Sequence, residues 1–134
     1  MKKLFRKLFP SKEMRAYNKM YRRHRRELVK LAKETREWDY GWLYDSVIMQ
    51  IRHMYEYYSE GNNIFQSEES LNEILGQLKH VLDLHEELDH LWDGYKFVSE
   101  EESAKKFEDA RTREQELYEE IYSYIGKYIQ WWWD

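Results

Sequence analysis

The run WDYGWLYDSVIMQIRHMYEYY, residues 38–58, holds the densest apolar and aromatic surface in the chain. Within it Tyr40, Tyr44, Val47, Ile51, Met54 and Tyr58 recur at steps of three and four, which places them on one side of a helix of 3.6 residues per turn. Ile48 and Tyr55 widen the stripe, while Asp45, Arg52 and Glu56 fall on a polar flank. The segment therefore reads as an amphipathic helix that another helix must cover, and not as a membrane span.

The rest of the chain agrees with an all-α reading. One proline and five glycines interrupt 134 residues, a length suited to a single domain with a real core. With no cysteine, disulfides, thiolate metal sites and cysteine nucleophiles are excluded. The spacing predicts helices over 12–37, 40–60, 67–93 and 99–133, in three or four long rods forming a mostly antiparallel bundle. Residues 1–10, MKKLFRKLFP, are basic with paired apolar residues. They are too short and interrupted for a signal peptide or spanning helix, so a short amphipathic arm is expected there and membrane contact is not.

Local signals set the expected boundaries. Ser11, Ser67 and Ser99 are candidate N-caps, with Glu102 completing a capping box after Ser99. Gly61-Asn62-Asn63 and Asp93-Gly94 are stops. Between Trp38 and Gly41 the chain either breaks, with Asp39 capping a new helix, or continues as a kinked one. The first helix shows a seam of Met14, Tyr17, Tyr21, His24, Leu28, Leu31, Thr35 and Trp38. The third shows Leu71, Ile74, Leu78, Val81, His85, Leu88 and Trp92; the fourth, Phe107, Ala110, Glu114, Leu117, Ile121, Tyr124, Tyr128 and Trp131. The fourth helix is so charged before Leu117 that this half is expected to project or fray.

Charge divides the chain sharply. Residues 1–37 carry 14 Lys and Arg against 4 Glu, leaving 8 basic against 22 acidic residues in 38–134. Arg15, Lys19, Arg22, Arg23, Arg26 and Lys30 form a basic face several turns long, able to lie on an acidic body or to meet an external polyanion such as nucleic acid.

Chemistry-bearing motifs are weak by comparison. Glu87-x-x-His90 is half of a di-metal pattern that needs two such pairs, and Asp83, Glu86 and Asp89 with Glu116 and Glu119 recur as in helical nucleotide hydrolases but also as on any solvated acidic face. No Gly-rich phosphate loop, HExxH or nucleophile elbow is present, so the expectation is a non-enzymatic protein with neither cofactor nor metal. Polar residues within apolar seams offer one alternative: His24, His85 and Glu114, with Tyr44, could line a small nucleotide-like ligand pocket, or fix helix register through hydrogen bonds.

Aromatic content is the largest anomaly, with 12 Tyr, 6 Trp and 5 Phe. Three successive helical residues sweep about 200°, so Trp131, Trp132 and Trp133 cannot all face one core. The leading expectation is a protein–protein interface comprising Trp38, Trp42, Tyr128, Trp131, Trp132 and Trp133, used for homo-oligomerisation or for another protein.

Residues 38–58 followed by Gly61-Asn62-Asn63, with the closing Trp-Trp-Asp, resemble a group of small uncharacterised helical proteins of tailed bacteriophages. In that group an aromatic Asp-Tyr start leads into a helix ending in Met-Tyr or Met-x-x-Tyr-Phe, then a short loop and a second amphipathic helix. The similarity covers roughly residues 37–95 and the last three positions, and the basic first helix is not part of it. It implies a helical fold, a viral origin, and a place in the bacterial host's cytoplasm or the virion, in an accessory, host-interaction or counter-defence role, with no activity or site residue to transfer.

Overall fold

The computed structural model describes residues 12–35, 40–60, 67–93 and 99–132, and among these the protein is all-helical. The elements are α1 (Lys12–Glu34), α2 (Tyr40–Ser59), α3 (Glu68–His90), α4 (Glu100–Tyr128) and a closing 3₁₀ turn, Ile129–Trp131. The expected arm at 1–10, the Ser11 cap, the junction at Trp38, the glycine-asparagine stop, Gly94 and Trp133 lie outside the described residues.

The chain divides into two compact units, 1–50 and 51–134, with the boundary inside α2. In the first unit the seam expected for α1 is displaced. Met14, Tyr17 and Tyr21 are 51%, 37% and 47% exposed, while Met20 is buried and His24, Leu28 and Leu31 are half-buried. Helical phase alone cannot say which edge of a broad apolar stripe meets a neighbour, and here the inward face is rotated away from the tyrosines. The helix is also shorter than the expected 12–37: the Thr35 amide and hydroxyl both turn back to the Leu31 carbonyl, at 3.1 and 2.6 Å.

In α2 the buried positions Tyr44, Ile48, Ile51 and Tyr58 keep the expected phase, but Tyr40 stands outside at 73% exposure and His53 is buried. Desolvation on burial, with Tyr57 adjacent, raises the Tyr58 pKa above its ordinary value.

The second unit holds the best-defined packing, α3 against α4. Both helices start as their caps require. Ser67 Oγ accepts from the Ser70 amide at 3.1 Å and Ser99 Oγ from the Glu102 amide at 3.2 Å, and the acidic first turns complement the positive end of each dipole. The α3 core is Ile74, Gln77, Leu78, Val81, Leu84 and Leu88; from α4 come Ser103, Leu117, Ile121 and Ile125. His85, expected on the seam, is half-buried, and Leu84 takes the inward position.

The charged half of α4 does not fray. It is helical from Glu100, and Phe107 rests against Trp92 with ring centroids 5.4 Å apart. Nearly two turns further on, Arg113 forks onto Glu87 of α3 through Nε and Nη2, at 2.8 and 3.0 Å, and reaches Glu116 at 3.3 Å. These links hold a helix segment that buries little apolar area of its own.

After Tyr128 the chain tightens into the 3₁₀ turn, which rotates successive tryptophans apart. Trp131 is 61% exposed and Trp132 only 1%. Trp132 is locked at both polar ends: its indole N–H donates to Gln77 Oε1 at 2.9 Å, and its carbonyl accepts from the Tyr58 hydroxyl at 2.5 Å. Three segments distant in sequence, the end of α2, the middle of α3 and the C-terminal turn, meet at this one residue. Among the described residues, no buried side-chain nitrogen or oxygen lacks a hydrogen-bond partner.

Candidate functional site

Helix α1 concentrates the positive charge of the described chain. It forms because nearly every residue is a good helix former, with neither glycine nor proline within Lys12–Glu34. Rows of residues four apart run side by side along its surface. Tyr17, Tyr21, Arg25, Val29 and Lys33 make one row, Arg22, Arg26 and Lys30 the next, and Arg15, Lys19 and Arg23 a third. All six cations expected to form the basic face are exposed.

Two of these cations are partly neutralised, Arg23 by Glu27 at 3.6 Å and Lys30 by Glu34 at 3.9 Å. Such exposed pairs are weak enough for a polyanion to displace the glutamates.

Between the first two rows lies an open groove of about 400 Å³, lined by Arg25, Arg26, Val29, Lys30 and Lys33. Val29 is 52% exposed within it. At its N-terminal end the Tyr17 and Tyr21 rings lie parallel, 6.2 Å apart and 15° inclined. Arg25 completes the arrangement. Its guanidinium stands 5.6 Å from the Tyr21 ring centre while Nη1 donates to the Tyr21 hydroxyl at 2.9 Å. Sequence reasoning assigned the tyrosines to the core and so missed this juxtaposition; the four-residue spacing of Tyr17, Tyr21 and Arg25 was the signal that could have found it.

The aromatic C-terminal end is distributed differently from the expected interface. Trp132 is internal and closed to a partner, Trp42 and Tyr128 are half-buried, and Trp131 with the 49%-exposed Ile129 faces outward. Tyr128 packs on Tyr124, which in turn meets His80 of α3 at 4.4 Å. Desolvation raises the Tyr124 pKa, reinforced by Tyr128 and opposed by Lys127.

The residues of the expected ligand pocket fall in different units, His24 and Tyr44 in the first, His85 and Glu114 in the second. Tyr44 is buried and the other three are half-buried.

Two carboxylates of α3, Asp83 and Glu87, are paired with cations. Glu87 is held below the usual carboxylate range by its hydrogen bond to Arg113. His90 is raised by its hydrogen bond to Asp93, at 2.5 Å, and Asp83 takes Lys79 at 2.8 Å. Among the described residues no group of three or more His, Asp or Glu side chains is placed to hold a metal. No helix there is long and apolar enough to cross a membrane.

Comparison with protein-family models, with curated proteins and with solved structures gives no match.

Proposed function

We propose that this is a non-enzymatic binding protein whose principal surface is α1 and whose partner is nucleic acid. The observation that carries this reading is the presentation of Arg15, Lys19, Arg22, Arg23, Arg26 and Lys30 as adjacent exposed rows on one regular helix. Cations held at regular spacing on a rigid rod pair with successive phosphates and release their condensed counterions, so affinity should fall steeply with salt. The test is a fluorescence-anisotropy titration with labelled oligonucleotides at several salt concentrations. The combined variant Arg22→Glu, Arg23→Glu and Arg26→Glu removes three contacts, and the log–log salt slope should become shallower by about 2–3. Failure of the wild-type protein to bind DNA or RNA at low salt would end this reading.

A second reading is favoured by Trp131 and Ile129, which leave an apolar surface outside at the C-terminal end. That surface suits docking of a protein, either a second copy of this chain or a host protein met by a phage accessory factor in the bacterial cytoplasm. Light scattering and pull-down with Trp131→Ala test it, and unchanged mass together with unchanged partner recovery would argue against it.

A further inference from the structure

We infer that α1 selects single-stranded over double-stranded nucleic acid, stacking an unpaired base against the planar row that Tyr21 forms with Tyr17 and Arg25, while Arg22, Arg26 and Lys30 follow the phosphates. This rests on the nucleic-acid reading above and adds to it the form of the strand.

Phosphate recognition alone requires only cations, and a duplex keeps the faces of its bases stacked on one another, whereas a single strand leaves them open to a planar side chain. The α1 surface has more than cations. Tyr21 is 47% exposed one turn before the groove, flanked by the parallel Tyr17 ring on one side and by Arg25, which donates to its hydroxyl at 2.9 Å, on the other. A row of planar groups already aligned loses little freedom when a base settles at its end. The Arg25 guanidinium offers a second planar face of the kind on which unpaired bases stack.

Val29 extends the apolar part of the groove between Arg25 and Lys33. Val29, 52% exposed among cations, gives the edge of a sugar or base an apolar surface to rest on. From Tyr17 to Lys33 the row runs for about 24 Å at the helical rise, enough for several nucleotides.

The order of residues along the row separates this occupant from other anionic ones. A helix lying in a membrane interface segregates apolar from charged residues into two broad faces. Here ring, guanidinium, aliphatic and ammonium groups alternate within one row, Tyr21, Arg25, Val29, Lys33, next to the cations of the second row. That alternation matches a strand that presents bases and phosphates in turn.

The test uses the full chain with labelled oligothymidine, a duplex of equal length and, as competitor, vesicles containing phosphatidylserine. Tyr21 is exposed, so its variants should keep the fold, which circular dichroism verifies. Expected for the wild type is tighter binding of the single strand than of the duplex. Tyr21→Ala should weaken the single strand roughly fivefold or more and leave the duplex unchanged, while Tyr21→Trp retains the preference. Equal single-strand affinity in Tyr21→Ala and wild type, a wild-type preference for the duplex, or displacement of the oligonucleotide by the vesicles would each overturn the inference. Charge reversal at Arg22, Arg23 and Arg26 separates the two levels. If it abolishes binding of both probes while Tyr21→Ala has no effect, the basic surface stands and strand selection falls; if it leaves binding intact, both fall.

Discussion

Replacing Trp132 probes the most connected point of the fold, and its neighbour supplies the control. An indole buries about 150–250 Å², which at about 25 cal/mol per Å² is worth some 4–6 kcal/mol as an upper estimate. Trp132 is 1% exposed, so Trp132→Ala should forfeit most of that and remove a large share of a stability of about 5–15 kcal/mol. Trp131, 61% exposed, should change stability by no more than about 0.5 kcal/mol when truncated. Two adjacent, chemically identical side chains are thus expected to differ several-fold in cost.

The polar part of the same contact can be isolated by a double-mutant cycle. Trp132→Phe keeps a ring in place but strips the N–H that Gln77 accepts at 2.9 Å, and Gln77→Leu leaves that N–H without its partner. Each single change strands one buried group and should cost about 1–3 kcal/mol. The double variant strands neither, so it should be more stable than the sum of the singles by about 0.5–3 kcal/mol. Urea denaturation followed by far-UV circular dichroism measures all four corners of the cycle. Additivity within about 0.3–0.5 kcal/mol would refute the coupling, and with it the idea that this hydrogen bond pins the C-terminal turn to α3.

Gly76 and Gly126 both lie inside helices with open space where a Cβ would stand, so alanine at each should stabilise by about 0.5–1 kcal/mol, read as a rise in urea midpoint. The raised pKa of Tyr58 means the folded state disfavours its phenolate; the stabilisation is complete below the ordinary value near 10 and is lost as pH rises through the folded one. Stability measured from neutral to strongly alkaline pH should therefore fall less steeply in Tyr58→Phe than in the wild type. His90 is also raised, by the hydrogen bond to Asp93, so its contribution is present below the ordinary pKa near 6.5 and disappears as pH climbs through the higher folded value. An NMR titration of the His90 ring should give a midpoint above the ordinary value, and Asp93→Asn should return it there.

Sequence periodicity made the helices legible, and the two described serine caps fell where the pattern of hydroxyls and carboxylates put them, because both signals are local and depend on the chain's own backbone. Orientation was less legible. The apolar stripe of α1 is broad enough that Tyr17 and Tyr21, or equally Met20 and Leu31, could have faced inward, and choosing requires knowing where the neighbour lies. Gln77 was invisible for a related reason: a glutamine in a helix reads as surface until a distant N–H arrives to satisfy it, and Trp132 lies 55 residues away. The three tryptophans could be divided into inward and outward members in principle by their 100° steps, but which faced in was set by the 3₁₀ turn and the two hydrogen bonds on Trp132. The exposed groove on α1 was hidden by the same uncertainty in phase, since assigning the tyrosines to the core removed the aromatic half of the surface.

An excess of aromatic residues does not by itself demand a partner. Tyr44, Tyr58 and Trp132 are absorbed into the interior, and for Tyr58 and Trp132 this is possible because the hydroxyl and indole tips find acceptors there. What distinguishes the outward rings is their company. Tyr40 and Trp131 stand at 73% and 61% exposure, whereas Tyr21 is hydrogen-bonded to a guanidinium and stands beside rows of cations. Apolar area explains adhesion of many kinds, whereas a ring beside regularly spaced positive charge offers a ligand both a planar and an ionic contact. On the function proposed above, the first helix rather than the tryptophan-rich tail carries the principal binding surface.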